Sequence, residues 1–247
     1  MLTTGADPAP RTAGPTQETV VEDALRNAIA ASEDTPPKLA AAVFDAVFPG
    51  GGRIRPQLCL GVASACGLCL KPETEDDAGT ARLALAAAVA VELLHCASLV
   101  LDDLPCFDAA ELRRGRPSVH KAHGESLAVL AGAALIVRAF EVLAATPGAD
   151  PERRARLIAT VSASVGMRGG ICAGQALEFE DNVDLSQYHQ AKTGALFAGA
   201  VTAGAIAAGH EPAHWQAFAC RLGEAYQVLD DLRDVAGSEA MIGKPEG

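Results

Sequence analysis

Apolar and small residues recur at helical spacing along most of this chain, and nowhere do they alternate with the period of two that a half-buried strand requires. The pattern predicts a helix over about Thr19–Ala31, ahead of Pro36-Pro37, and a second over 38–48, stopped by Pro49 and three glycines. A third follows the Gly50–Pro56 loop. A long helix then runs from about Ala81 to Asp103, apolar at nearly every position and so expected to be buried on most sides. Further helices are predicted over 124–145 and 152–168, over an Ala/Gly-rich stretch ending near Gly209, and from Pro212 to about Val235. The expected fold class is all-α: a helical bundle around a central cavity, with residues 1–16 a Pro/Gly/Thr-rich tail ahead of one domain over 17–247.

The few polar positions on the apolar helices carry the chemistry. At about 100° per residue, Glu92, His95, Ser98, Asp102 and Asp103 fall within an arc of about 140° on the long helix. Near the other end of the chain, Gln227, Asp230, Asp231 and Asp234 fall within about 100°. Carboxylates ending two apolar helices need a cation or a partner. Pro105 breaks the first helix, so that Asp108 can return towards the same cation. Acidic residues near the C-terminus of the last helix oppose its dipole, and something must compensate. Carboxylate oxygens without a Cys or His cluster select a hard cation, and Mg²⁺ suits a phosphate-bearing substrate.

Composition narrows this. Of 247 residues, 49% are hydrophobic and only 4% aromatic, which favours closely packed helices. A net charge of −11 leaves no basic face for nucleic acid. Seven cysteines without a framework spacing fit a reducing cytoplasm, and Cys66-Gly67-Leu68-Cys69 has no second pair to complete a zinc site. The N-terminus lacks a signal-peptide pattern. Leu83–Leu101 is long enough to span a membrane, but Glu92 and His95 near its middle make it a core helix instead, so no membrane span is expected. Two further stretches have two readings each, and two more have one. Gly50-Gly51-Gly52-Arg53-Ile54-Arg55-Pro56 suits close approach to phosphate, and equally a helix connector with solvated arginines. The basic loop Arg113-Arg114-Gly115-Arg116 either pairs with the acidic cluster or holds an anion beside it. The acidic stretch Glu178–Asp184 reads as a solvated turn, and Lys192 alone would be a surface residue.

Taken jointly and in order, the two Asp motifs, the Arg-Arg-Gly after the first, Gly174-Gln175 before Lys192-Thr193-Gly194, and Gly243-Lys244-Pro245 resemble the all-trans isoprenyl diphosphate synthases, from about Gly50 to the last residue. That resemblance implies Mg²⁺ on Asp102, Asp103 and Asp108 and, opposite, on Asp230, Asp231 and Asp234. It implies an allylic prenyl diphosphate on Arg113, Lys192, Thr193, Gln227 and Lys244, and isopentenyl diphosphate on Arg53, Arg55, His95 and Arg114. The implied reaction ionises the allylic diphosphate, joins the isopentenyl double bond to the cation and loses a proton, in a homodimer. Small Ala97 and Ser98, where the family's farnesyl-producing members carry bulky aromatics, imply geranylgeranyl diphosphate, with farnesyl diphosphate the alternative. A terpene cyclase would carry more aromatics. A non-catalytic prenyl-synthase-like subunit is the other alternative: the two complete Asp motifs count against it, and the shortened C-terminus keeps it open. The sequence departs from the family's pattern at Leu101, usually His, at Gly52, usually Lys, and at Ala133, often Asp. It also stops before the family's last C-terminal helices.

Overall fold

The computed structural model describes residues 16–48, 50–70 and 74–236, without the side chains of residues 227, 230, 231 and 233–236. The described residues are almost wholly helical: α1 Gln17–Ala28, α2 Pro37–Val47, α3 Ile54–Ala65, α4 Glu75–Asp102, α5 Val119–His123, α6 Glu125–Ala144, α7 Pro151–Val165, α8 Ile171–Ala176, α9 Leu185–His189, α10 Ala195–Ala207 and α11 Gln216–Ala236. The all-α expectation holds. Most of residues 1–16, which the sequence reads as a tail, lie outside the description.

Helix ends follow caps more than apolar runs. α4 begins at Glu75, ahead of the expected Ala81, because the Thr74 hydroxyl accepts the Asp77 N–H at 3.2 Å and three acidic residues occupy the first turn. α7 starts on Pro151, with the Asp150 carboxylate accepting the Arg153 N–H at 2.8 Å. One element departs from the strand-free expectation. Leu112–Arg113 (β1) and Arg116–Pro117 (β2) form a small antiparallel hairpin, with Arg113 opposite Arg116. Its turn residues Arg114 and Gly115 both have positive φ, 54° and 75°, as a type I′ turn requires. Two-residue strands are too short for alternation to show in sequence.

α4 is the axis, packing against α6, α10, α3, α1 and α7. Its apolar window is 78% buried, which makes it the core helix that Glu92 and His95 implied. Leu83 and Leu93 on α4, Leu135 and Leu143 on α6, Leu157 on α7 and Leu196 on α10 are fully or almost fully buried. Each contributes about 1.5–3 kcal/mol, more than an exposed ion pair. Small residues let the axes approach: a Cβ at Gly204 on α10 would overlap the Cys59 carbonyl on α3. Leu101 packs against Gly132 on α6, where a Cβ would lie 3.0 Å from the leucine methyl. The departure at Leu101 is thus matched by a residue without a side chain opposite.

Candidate active site

The first Asp motif lies where α4 ends. The helix stops at Asp102, and a turn around Pro105 brings the Asp108 N–H back to the Asp102 carbonyl at 3.0 Å. The expected return of Asp108 is therefore a property of the backbone. Asp103 is 2% exposed and bound by Arg113, whose Nε lies 3.0 and 3.1 Å from its two oxygens and whose Nη2 also donates to it. The hairpin aims Arg113 back at the motif. Of the two readings of the basic loop, the structure shows the ion pair. Asp103 raises the Arg113 pKa against the opposing effect of burial, so this guanidinium stays charged.

Lys192 closes the site from the other side. It sits in a π turn, Gln190–Gly194, of the kind that often marks functional positions. Its Nζ lies 3.6 Å from Asp102 Oδ1 and donates to Glu178. Burial lowers its pKa, but the Glu178 hydrogen bond and then the Asp102 charge raise it overall. Lys192 is therefore no free surface lysine, and Thr193 is half-buried beside it. Glu178 is likewise more than part of a solvated turn.

The Gly-rich loop divides its two arginines. Arg55, at the start of α3, stacks over Phe197 at 4.2 Å, with Tyr226 of α11 at 5.8 Å. Arg114 reaches back over the loop, where a Cβ at Gly51 would lie 2.7 Å from its guanidinium carbon. Arg53 goes elsewhere. It is 2% exposed, with φ 47°, and donates to Glu22 at 2.7 Å, to Glu92 at 2.7 Å and to the Val47 carbonyl at 2.8 Å. The sequence expects Arg53 to hold substrate, whereas each of its three guanidinium nitrogens here bonds α1, α4 or the loop itself. Glu92 likewise leaves the polar stripe to become its partner.

His95 keeps its place on the stripe, half-buried. Burial first, then the positive charges of Arg55, Arg114, Arg113 and Arg53, hold its pKa well below the ordinary histidine value. It offers a neutral N–H or lone pair, while the arginines carry the charge. Of the small residues one turn before Asp102, Ser98 is half-buried with its hydroxyl on the His95 carbonyl at 2.9 Å, whereas Ala97 is 1% exposed within the main core.

The second Asp motif falls on α11. This helix packs beside the Lys192 turn, where a Cβ at Gly223 would lie 3.0 Å from Gly194. It runs unbroken through Gln227, Asp230, Asp231 and Asp234, so the spacing that aligns them is kept. Their side chains, and Lys244, lie outside the description. Among the described residues no three His, Cys, Asp or Glu side chains form a ready metal cluster. Asp102, Asp103 and Asp108 still fit a hard cation by donor type, and Lys192 and Arg113 provide the positive charge beside two of them. A cavity of about 180 Å³ opens beside Asp103, lined by Leu99, Val100, Arg113, Arg114 and Arg116 on the side facing α2 and α5. Sequence reasoning missed Glu22, Glu178, Tyr188, Phe197 and Tyr226, whose roles rest on contacts between distant segments.

An all-helical bundle whose buried axis ends in carboxylates, flanked by Arg113, Lys192 and Arg55, has the build of a prenyltransferase of the isoprenoid-synthase class. A profile of the polyprenyl synthetase family matches residues 36–247, and the chain belongs to that family. It is 52% identical over 229 residues to the geranylgeranyl diphosphate synthase of Rhodobacter capsulatus, covering 92% of this chain and 76% of that one. Among solved structures, an FPP/GFPP synthase from Zymomonas mobilis superposes with a TM-score of 0.78 at 32% identity, over 92% of this chain and 83% of that one. A geranyltransferase from Helicobacter pylori, complexed with magnesium and isoprenyl diphosphate, superposes with a TM-score of 0.77 at 34% identity, over 93% of this chain and 78% of that one.

Proposed function

We propose that this enzyme condenses isopentenyl diphosphate with allylic prenyl diphosphates in the cytoplasm, making geranylgeranyl diphosphate with Mg²⁺ as cofactor. The observation that carries the reading is the meeting of the Asp102–Asp108 turn, Arg113 and Lys192 at one end of the buried axial helix. The relative from Rhodobacter capsulatus, named for that product, supports the choice of product.

In this reading Asp102, Asp103 and Asp108 hold Mg²⁺ with Asp230, Asp231 and Asp234 of α11. The bound metal supplies positive charge that makes diphosphate a better leaving group. Arg113 exchanges Asp103, and Lys192 exchanges Asp102, for allylic diphosphate oxygens, joined by Thr193, Gln227 and Lys244. Both cations keep their charge as the C–O bond breaks, and they stabilise the negative charge building on the leaving group. Arg55 and Arg114 hold isopentenyl diphosphate, with His95 adding a neutral hydrogen bond. Its double bond attacks the allylic carbon, and the released diphosphate takes the proton. Arg53 binds no substrate and keeps the loop in place.

The test is incubation with Mg²⁺, labelled isopentenyl diphosphate and farnesyl diphosphate, followed by chromatography of the products. A twenty-carbon product is expected. Arrest at farnesyl diphosphate from shorter primers would identify a farnesyl diphosphate synthase. No elongation by folded protein would leave a non-catalytic subunit.

Ser98 is the better place to test tail length, because a larger side chain at buried Ala97 would overpack the core. Ser98→Phe is expected to shift the product towards farnesyl diphosphate on the same chromatogram. An unchanged product would show that the tail passes elsewhere.

α6 supports the homodimer. It is long and apolar enough to cross a membrane, yet only 33% of its apolar window is buried. Val129, Leu130 and Val137 are 48%, 53% and 57% exposed. A second copy of the chain would cover this face as a core would. Sedimentation at micromolar concentration is expected to show twice the 25.3 kDa chain mass. A lone 25.3 kDa species would defeat the dimer.

A further inference from the structure

Glu178 stands at the end of α8, and both of its oxygens are engaged. Oε1 accepts from Lys192 Nζ and from the Tyr188 hydroxyl at 2.7 Å, while Oε2 accepts from Gln175 Nε2 at 2.7 Å. Its side chain is 28% exposed and that of Lys192 is 23% exposed, so water screens the pair only in part. The backbone is built for this meeting. A Cβ at buried Gly174 would overlap the Lys192 amide, so only glycine lets α8 lie against the π turn. The Tyr188 ring stands 5.5 Å from the ammonium and confines it further.

Among the described residues, the other carboxylate paired with Lys192 is Asp102, at 3.6 Å. Without Glu178, the lysine would close on it and occupy the oxygens that the first Asp motif must keep for its cation. A lysine stem is rich in rotamers, so an unanchored ammonium must also be ordered again at each turnover.

We propose that Glu178 is a positioning residue: it holds the Lys192 ammonium off Asp102 and presents it, already oriented, to the allylic diphosphate. This rests on the proposed role of Lys192 in prenyl transfer. Glu178 touches no reacting atom. Its effect passes through Lys192, and it falls on the allylic substrate rather than on isopentenyl diphosphate, whose proposed ligands lie at the start of α3, on the hairpin turn and at His95 of α4.

The test is a double-mutant cycle on the full chain, measuring kcat and the two KM values for the parent, Glu178→Ala, Lys192→Ala and the pair. Glu178→Ala is expected to raise the allylic KM about tenfold and leave the isopentenyl KM unchanged. The pair should be no worse than Lys192→Ala alone, because the second change removes a partner already lost. Glu178→Asp, keeping the charge, should recover part of the affinity. Additive costs, or equal rises in both KM values, would overturn the inference and leave Glu178 a merely structural residue. A Lys192→Ala variant as active as the parent would overturn the proposed role of Lys192 as well, and the inference with it.

Discussion

Asp102→Asn is expected to lower kcat by about two to three orders of magnitude while leaving the fold as stable as before. Asp102 ends α4 beside Asp103, and Asp108 is tied back to it by the backbone bond at 3.0 Å. Asp102, Asp103 and Asp108 all bring negative charge within reach of Arg113, with Lys192 as a further counter-charge beside Asp102. An amide of the same shape removes one of these negative charges, easing like-charge repulsion while weakening any cation site. Stability and activity should therefore separate. Steady-state kinetics beside thermal unfolding would show it. Activity retained within a factor of a few, or lost only in proportion to unfolding, would remove Asp102 from the site.

Arg53→Met should have the largest effect on stability, costing about 3–5 kcal/mol. Glu92 is 2% exposed, and Arg53 is the partner that holds its Oε1 at 2.7 Å. Removing the guanidinium strands that charge and frees the Glu22 contact and the Val47 carbonyl at once. It also leaves a left-handed residue, φ 47°, without the bonds that offset a conformational cost of about 1–2 kcal/mol. Arg53→Met with Glu92→Met should recover much of the loss, because no charge is then left buried without a partner. Urea denaturation of the four proteins measures both numbers. If Arg53→Met were nearly neutral for stability but raised the isopentenyl KM, Arg53 would be a substrate ligand after all.

Both expectations start from residues of motifs that stand out in the sequence, yet only the first was legible there. The helical arc through His95, Ser98, Asp102 and Asp103 depends on rotation per residue within one helix, which is local. The return of Asp108 follows from a proline three residues past Asp102, again local. Those features were enough to place a carboxylate site on an apolar axis and to expect a helical bundle. The caps at Thr74 and Asp150 are local signals as well, while the apolar run of α4 alone marks a later start.

Arg53 and Arg55 look alike in sequence, two arginines with one residue between them. Arg53 finds Glu22 and Glu92, 31 and 39 residues away, while Arg55 finds the rings of Phe197 and Tyr226. Glu178 similarly reaches Lys192 across 14 residues because Gly174 lets two backbones touch. By itself, the sequence determined the all-α class, the buried axis and the carboxylates at its end, since helical periodicity and the cost of burying charge are properties of short segments. Tertiary structure decided which charged groups are spent on the fold and which stay at the site. An ion pair forms only where packing brings its partners together and excludes water from them, and that depends on the whole bundle.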